Sequence, residues 1–230
     1  MAKRKPKSLA RAIIIAVYNQ KGGCGKSQVS MQLGGTLGLR GYRSLVVDMD
    51  PQGTALMWSA QAETFGVPFP ATVISLSKQK ESMVGEIRKF SKLYDFIIID
   101  CPPAIESTVP WAALNIADLG LIPIIPLIDN IWASREAINV GMSAQKENKN
   151  LMLRFVPSNV GRGNLYVEGL EIIRQDENVE TIPTGFSHRN AFPSSAAFGS
   201  TVHALASKSP AINEVEALTT TVLRLFDIKG

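Results

Sequence analysis

The sequence predicts an α/β fold, a mostly parallel, doubly wound sheet flanked by helices in a single domain. Three observations carry that prediction. Short apolar runs rich in β-branched residues alternate with helical stretches of ~10–15 residues, the spacing of βαβ crossovers. The runs are apolar at successive positions, as in strands buried on both faces. A glycine cluster, Gly22-Gly23-Cys24-Gly25, follows the first run directly and leads into a helical stretch.

The elements follow in order. Ile13 to Tyr18 reads as the first strand, and Ser27 to Leu39 as a helix with Val29, Leu33 and Leu37 on one face. Arg43 to Asp48 is a second buried strand, residues 54 to 64 a helix, and Ala71 to Leu76 a weaker strand. Lys80 to Lys92 has the pattern of a charged amphipathic helix, and Phe96 to Ile99 is the clearest strand. Leu119 to Ile125 is another strand, interrupted by Pro123 and ended by Pro126. Trp132 to Asn148 predicts one helix, Leu151 to Val156 a strand, and Leu165 to Gln175 a helix. Asn213 to Phe226 predicts the last helix, with Val215, Leu218, Val222 and Leu225 at helical spacing.

Composition sets outer limits. The 230 residues are 45% apolar and 19% charged, ordinary for a globular domain. No apolar run approaches the ~20 residues of a membrane span, and Arg11 interrupts what would be a secretory core, so a cytoplasmic location is expected. Cys24 and Cys101 have neither CxxC nor metal-ligand spacing and read as reduced thiols. Residues 1–12 hold Lys3, Arg4, Lys5, Lys7 and Arg11 and no acid, while the whole chain has 24 basic against 20 acidic residues. The basic balance therefore belongs to a flexible tail, residues 1–12, ahead of a domain spanning 13–230. Such a tail suits phosphates or an anionic surface, and equally a solvated leader.

The chemistry begins at the glycine cluster. A strand–glycine loop–helix joint ending in Gly25-Lys26-Ser27 is the context of a phosphate loop. The glycines let successive N–H groups turn inward around a phosphate at a helix N-terminus. Lys26 would carry positive charge to the β- and γ-phosphates, and the Ser27 hydroxyl would coordinate Mg²⁺. Nucleotide contacts are expected over Lys21, Gly22, Gly23, Cys24, Gly25, Lys26, Ser27 and Gln28. Phe96-Ile97-Ile98-Ile99-Asp100 has the Walker B arrangement, with Asp100 holding Mg²⁺ through water. No [NT]KxD guanine signature occurs, which leaves ATP as the nucleotide. The fold class is thereby narrowed to a single-domain P-loop NTPase.

Lys21 departs from an ordinary loop of this type. The string Lys21-Gly22-Gly23-Cys24-Gly25-Lys26-Ser27 resembles the deviant Walker A loop of the ParA/MinD superfamily of ATPases. Asp48-Met49-Asp50-Pro51-Gln52 resembles the family's DxDPQ switch, and Asp100-Cys101-Pro102-Pro103 its hhhDxPP switch. Leu121 to Pro126, Asp129, Ile182-Pro183, Arg189 to Phe192, Ala196 and Gly199 extend the match, which runs from about Ile13 to Phe226. The resemblance implies an Mg²⁺-dependent ATPase that is a homodimer when ATP-bound. Lys21 would reach the partner subunit's phosphates, Asp50 would position the attacking water, and Asp48 would support Mg²⁺ and the loop. Lys21, Lys26 and Asp50 are then the catalytic set, and Ser27, Asp48 and Asp100 the metal set.

The chain has no N-terminal helix-turn-helix domain ahead of the match, so it resembles the small ParA-type plasmid partition ATPases and the compact relatives that act in DNA transfer. That implies nonspecific DNA binding, stimulation by a ParB-like partner, and a nucleoid-associated location. Candidate DNA contacts are Arg154, Arg162, Arg174 and Arg189. Three other readings compete. A MinD-like membrane-positioning ATPase would need a basic amphipathic C-terminal helix. The last helix offers Arg224 and Lys229 against Glu214, Glu216 and Asp227, so membrane binding is not expected. A nitrogenase-reductase-like carrier would need two suitably placed cysteines, and only Cys101 qualifies. A nucleotide binder without turnover is opposed by Lys21, Asp50 and Asp100 occurring together. The cargo, whether DNA or a protein or DNA-transfer complex, is not legible in the sequence.

Overall fold

A computed structural model describes residues 9–103, 108–205 and 209–228. Lys3, Arg4, Lys5 and Lys7 of the basic tail, and Lys229, lie outside the described residues. The strands are β1 (Ile13–Val17), β2 (Ser44–Asp48), β3 (Thr72–Ser75), β4 (Phe96–Asp100), β5 (Leu119–Ile124), β6 (Met152–Pro157) and β7 (Glu180–Thr181). They form one sheet in the order β3-β2-β4-β1-β5-β6-β7, and every pairing among the described residues is parallel. The helices are α1 (Lys26–Leu39), α2 (Thr54–Thr64), α3 (Met83–Phe90), α4 (Val109–Ile116), α5 (Ile128–Ala133), α6 (Arg135–Glu147), α7 (Asn164–Arg174), α8 (Ala191–Ala197) and α9 (Pro210–Leu225).

The continuous apolar runs are explained by a core on each face of the sheet. Ile14, Ala16, Leu45, Val47, Ile97 and Ile99 pack with α3, α4, α6 and α7. Their neighbours Ile13, Ile15, Val17, Val46, Phe96 and Ile98 pack with α1, α2, α8 and α9. Successive side chains of a strand point to opposite faces, so a strand covered on both sides must be apolar throughout. The stripe predicted on α9 is buried in the second core through Val215, Leu218 and Val222. Among the described residues, no helix is long and apolar enough to cross a membrane.

Four local differences from the sequence reading have physical causes. The helix expected over 132–148 is two helices, α5 and α6, which meet at Ser134, where the backbone departs from ideal helical angles (φ −90°, ψ −3°) and the hydroxyl joins the N–H in donating to the Asn130 carbonyl. The helix expected from Lys80 begins at Met83, after a short 3-10 turn. Helix α4 escapes the pattern because Val109, Pro110, Ala112, Ala113 and Leu114 are all buried, leaving no amphipathic signal. Pro123 is tolerated inside β5 because it lies past Leu121, the last residue paired with β1.

The topology places the site. From β1 the chain crosses by α1 to β2 on one face, and from β4 it crosses by α4 to β5 on the other. β1 and β4 are neighbours, so the loops leaving them part to opposite sides and open a crevice at their carboxyl ends. At the other end of β1 the residues just ahead of the strand are held. Ala12 is buried, and Arg11 makes a two-pronged ion pair with Asp118 at 2.7 and 2.9 Å.

Candidate functional site

The glycine loop occupies that crevice. Gly23 and Gly25 have φ of 73° and 96°, left-handed values that a side chain resists. A Cβ on Gly25 would also lie 2.4 Å from Ser158 Oγ, at the end of β6. Helix α1 starts at Lys26 with no side-chain cap and no acid in its first turn. Its first N–H groups and the positive end of its dipole are therefore available to an anion. Ser27 and Gln28 stand half-buried on that first turn. Lys26 is 7% exposed, and its ammonium donates to the Lys21 carbonyl at 3.1 Å, spanning the loop.

Two strands bring carboxylates to the same crevice. Asp48 and Asp100 are register partners at the ends of β2 and β4, and both are fully buried. Asp100 Oδ1 accepts from Ser30 Oγ at 3.0 Å, whereas Oδ2 is buried without a partner. Burial pushes the Asp100 carboxyl up to about 7, and the neighbouring Asp48 adds to the rise, against the lowering influence of the nearby Ser27 and Ser30 hydroxyls. A buried oxygen with no donor, on a carboxyl that resists ionising, fits a cation as the missing partner. The donors to hand, the Ser27 hydroxyl and the Asp100 carboxylate, are hard oxygens suited to Mg²⁺ that keeps several waters. Among the described residues no cluster of three or more His, Cys, Asp and Glu could form a self-sufficient metal cage.

Asp48 serves the loop directly. Its Oδ1 accepts from Asp50 N at 3.0 Å and its Oδ2 from Leu56 N at 2.9 Å. One carboxylate thus braces the segment from β2 into α2. Burial pushes its own pKa up, and the two N–H groups partly offset the rise. Asp50 is half-buried and turns the chain through a bond from Gln52 N at 2.9 Å. Cys24 and Cys101 are each 1% exposed, and burial pushes both thiols up, which leaves them poor nucleophiles.

The four arginines proposed for DNA are not equivalent. Arg154 pairs with Glu180 at 2.9 Å, and Arg189 pairs with Glu214 at 2.7 Å. Arg162 and Arg174 are exposed, and Arg162 shares a pocket with Arg189, His188 and Val160. Three residues that sequence reasoning passed over also belong to the site: Asn19, Ser30 and Ser158. Each is a buried polar side chain beside the loop or Asp100, and the hydrogen-bond partners of Asn19 and Ser30 lie up to 115 residues away in sequence.

An uncapped helix behind a glycine loop, facing an unsatisfied carboxylate at the sheet's switch point, defines a P-loop nucleotide-binding protein. Residues 15–202 match the CobQ/CobB/MinD/ParA nucleotide binding domain, and the chain belongs to that family. It is 27% identical to the maintenance of carboxysome distribution protein A of Halothiobacillus neapolitanus, over 93% of this chain and 97% of the relative. It is 24% identical to protein ParA of Rhizobium radiobacter, over 92% and 96% of the two chains. Among solved structures, the ATP complex of a Cyanothece McdA variant superposes with a TM-score of 0.77 at 15% identity, covering 95% of this chain and 98% of that one. That last likeness is one of fold.

Proposed function

We propose that this chain is a ParA-type positioning ATPase that binds ATP with Mg²⁺, dimerises on it, and hydrolyses it to ADP and phosphate. The observation that carries the reading is the Asp100 oxygen, buried without a partner beside a phosphate loop that begins with Lys21. Bound Mg²⁺ would neutralise charge on the phosphate oxygens, held by Ser27 and Asp100. The α1 N–H groups and Lys26 cradle the β- and γ-phosphates. Asp50 orients the attacking water, whose oxygen bonds to the γ-phosphorus as the bond to the ADP oxygen breaks. Lys21 of each subunit adds positive charge to the other's transferring phosphoryl group, where most of the catalysis is electrostatic. Asp48 keeps Asp50 in place through its backbone N–H.

ATP turnover and light-scattering mass, measured for wild type, Lys21→Ala and Asp50→Ala, test this reading. Loss of turnover in both variants is expected, with loss of the ATP-dependent dimer in Lys21→Ala. Wild-type turnover in both variants would overturn the mechanism.

The dimer is proposed to bind duplex DNA without sequence preference and to release it when a ParB-like partner stimulates hydrolysis, which gives a nucleoid-associated location. Exposed Arg162 and Arg174 are the first candidates, and the basic tail is a further one. Removing residues 1–8 and, separately, charge reversal at Arg162 and Arg174 should weaken binding and flatten its salt dependence. DNA binding that ignores ATP would count against this part. For the cargo, a plasmid or other DNA is one reading. A protein assembly is the second, supported by near full-length similarity to a carboxysome-distribution protein. Plasmid retention in a deletion strain separates the two, since only the first predicts its loss.

A further inference from the structure

We propose that Asn19 is the positioning residue for Lys21, tying that lysine to the junction between α5 and α6. The inference rests on the role of Lys21 proposed above. Asn19 is 2% exposed, two residues beyond β1, and its amide is fully engaged. Nδ2 donates to the Pro123 carbonyl and to Ser134 Oγ, both at 2.9 Å, and Oδ1 accepts from Lys21 N at 3.1 Å. Ser134, 1% exposed, donates its own hydroxyl to the Asn130 carbonyl at 2.8 Å. A buried amide with both donors and an acceptor used has one orientation, so it is a rigid hook.

The other side of Lys21 offers no such support. Gly22 and Gly23 follow, both exposed, and a Cβ on either would meet nothing within 4 Å. Among the described residues the Lys21 carbonyl is held only by Lys26 Nζ, the same ammonium that phosphates would attract. Once Lys26 turns to phosphate, the Asn19 bond is the remaining hold on the Lys21 peptide. A long side chain that must reach a second subunit needs its backbone fixed, because misplacement by ~1 Å can cost about a hundredfold in rate. Ser134 lies where α5 meets α6, and its hydroxyl bridges Asn19 and Asn130.

The test measures turnover, ATP-dependent dimerisation, affinity for fluorescent ADP, and melting temperature. The proteins are wild type, Asn19→Ala, Ser134→Ala, Lys21→Ala and the Asn19→Ala/Lys21→Ala double variant. Asn19→Ala should lose about 10- to 100-fold in turnover and lose the ATP dimer, with ADP affinity within about threefold of wild type. The double variant should be no slower than Lys21→Ala alone. Ser134→Ala keeps the Pro123 and Lys21 bonds and should show a smaller loss of the same kind, which covers the case that Asn19→Ala folds poorly.

Normal turnover in Asn19→Ala beside a crippled Lys21→Ala overturns the inference and leaves the proposed function standing. Normal turnover in Lys21→Ala overturns both. Additive losses in the double variant, or a fall in ADP affinity that matches the fall in rate, would assign Asn19 to loop folding and overturn the positioning role.

Discussion

The two ends of the central strands treat their aspartates in opposite ways. At the amino ends, Asp95 accepts from Arg43 Nη2 at 2.8 Å and from the Arg43 and Leu9 backbone N–H groups. Asp118 there takes both prongs of Arg11 and the Ile14 N–H. At the carboxyl ends, Asp48 and Asp100 lie side by side without an ion pair among the described residues, and one Asp100 oxygen has no partner among them. Burial raises both groups, but at Asp95 the hydrogen bonds from Arg43 outweigh burial and hold the carboxyl below its usual range. Each end carries buried acids on the same sheet, so burial alone does not mark a site. The mark is burial without compensation, which a fold tolerates where a ligand completes it.

That contrast can be broken experimentally, most sharply at Asp100. Asp100→Asn should cut ATP turnover by about a hundredfold or more, because the charge proposed to hold Mg²⁺ is gone. The same substitution should leave the melting temperature without Mg²⁺ unchanged or higher, since a buried uncompensated charge has been removed. Scanning calorimetry showing a large drop would mean that Asp100 is structural.

A second, smaller effect is expected at Gly25. Alanine there forces a side chain into φ of 96° and against Ser158 Oγ, and should weaken nucleotide binding by about tenfold or more. Titration of Gly25→Ala/Ser158→Gly should recover part of the affinity, because only the contact is relieved. No recovery would place the whole cost in the backbone.

At the opposite end the expected losses are in stability. Asp95→Asn should lower the melting temperature by about 4 °C at neutral pH with ATP turnover unchanged. The pH dependence follows from the lowered carboxyl. Its contribution is complete above the unfolded-state carboxylate range and fades as pH falls through the lower, folded value. Wild type and variant should therefore converge in acid. A melting-temperature gap that stays constant from neutral to acid pH would refute the ionic account.

The smallest effect is predicted at Arg11→Ala. Its side chain is 67% exposed, and surface pairs of this kind contribute about 0–1 kcal/mol. A shift of no more than about 2 °C, shrinking further in salt, is expected in the melting curve.

Much of the site was legible because its signals are local. Gly22 to Ser27, Asp48 and Asp100 each sit at the end of an apolar run, and the strand-loop-helix context is contained in a few neighbouring residues. The elements that were missed lacked a period. Helix α4 is apolar on all sides, β7 is two residues long, and α8 is a seven-residue helix among small side chains.

The sequence by itself determined the glycine loop, the strands that had to be buried on both faces, and the identity of the acids that end β2 and β4. These follow from backbone conformations and burial patterns that a short stretch of chain specifies. Only the tertiary structure decided the strand order that sets β1 beside β4 and puts Asp48 in register with Asp100. It also decided that Arg154 and Arg189 are neutralised by Glu180 and Glu214, and that Asn19 reaches Pro123 and Ser134. Those are hydrogen bonds and ion pairs between residues 25 to 115 apart in the chain. No local pattern encodes them, because a polar side chain finds its partner only after the apolar core has fixed where each strand and helix lies.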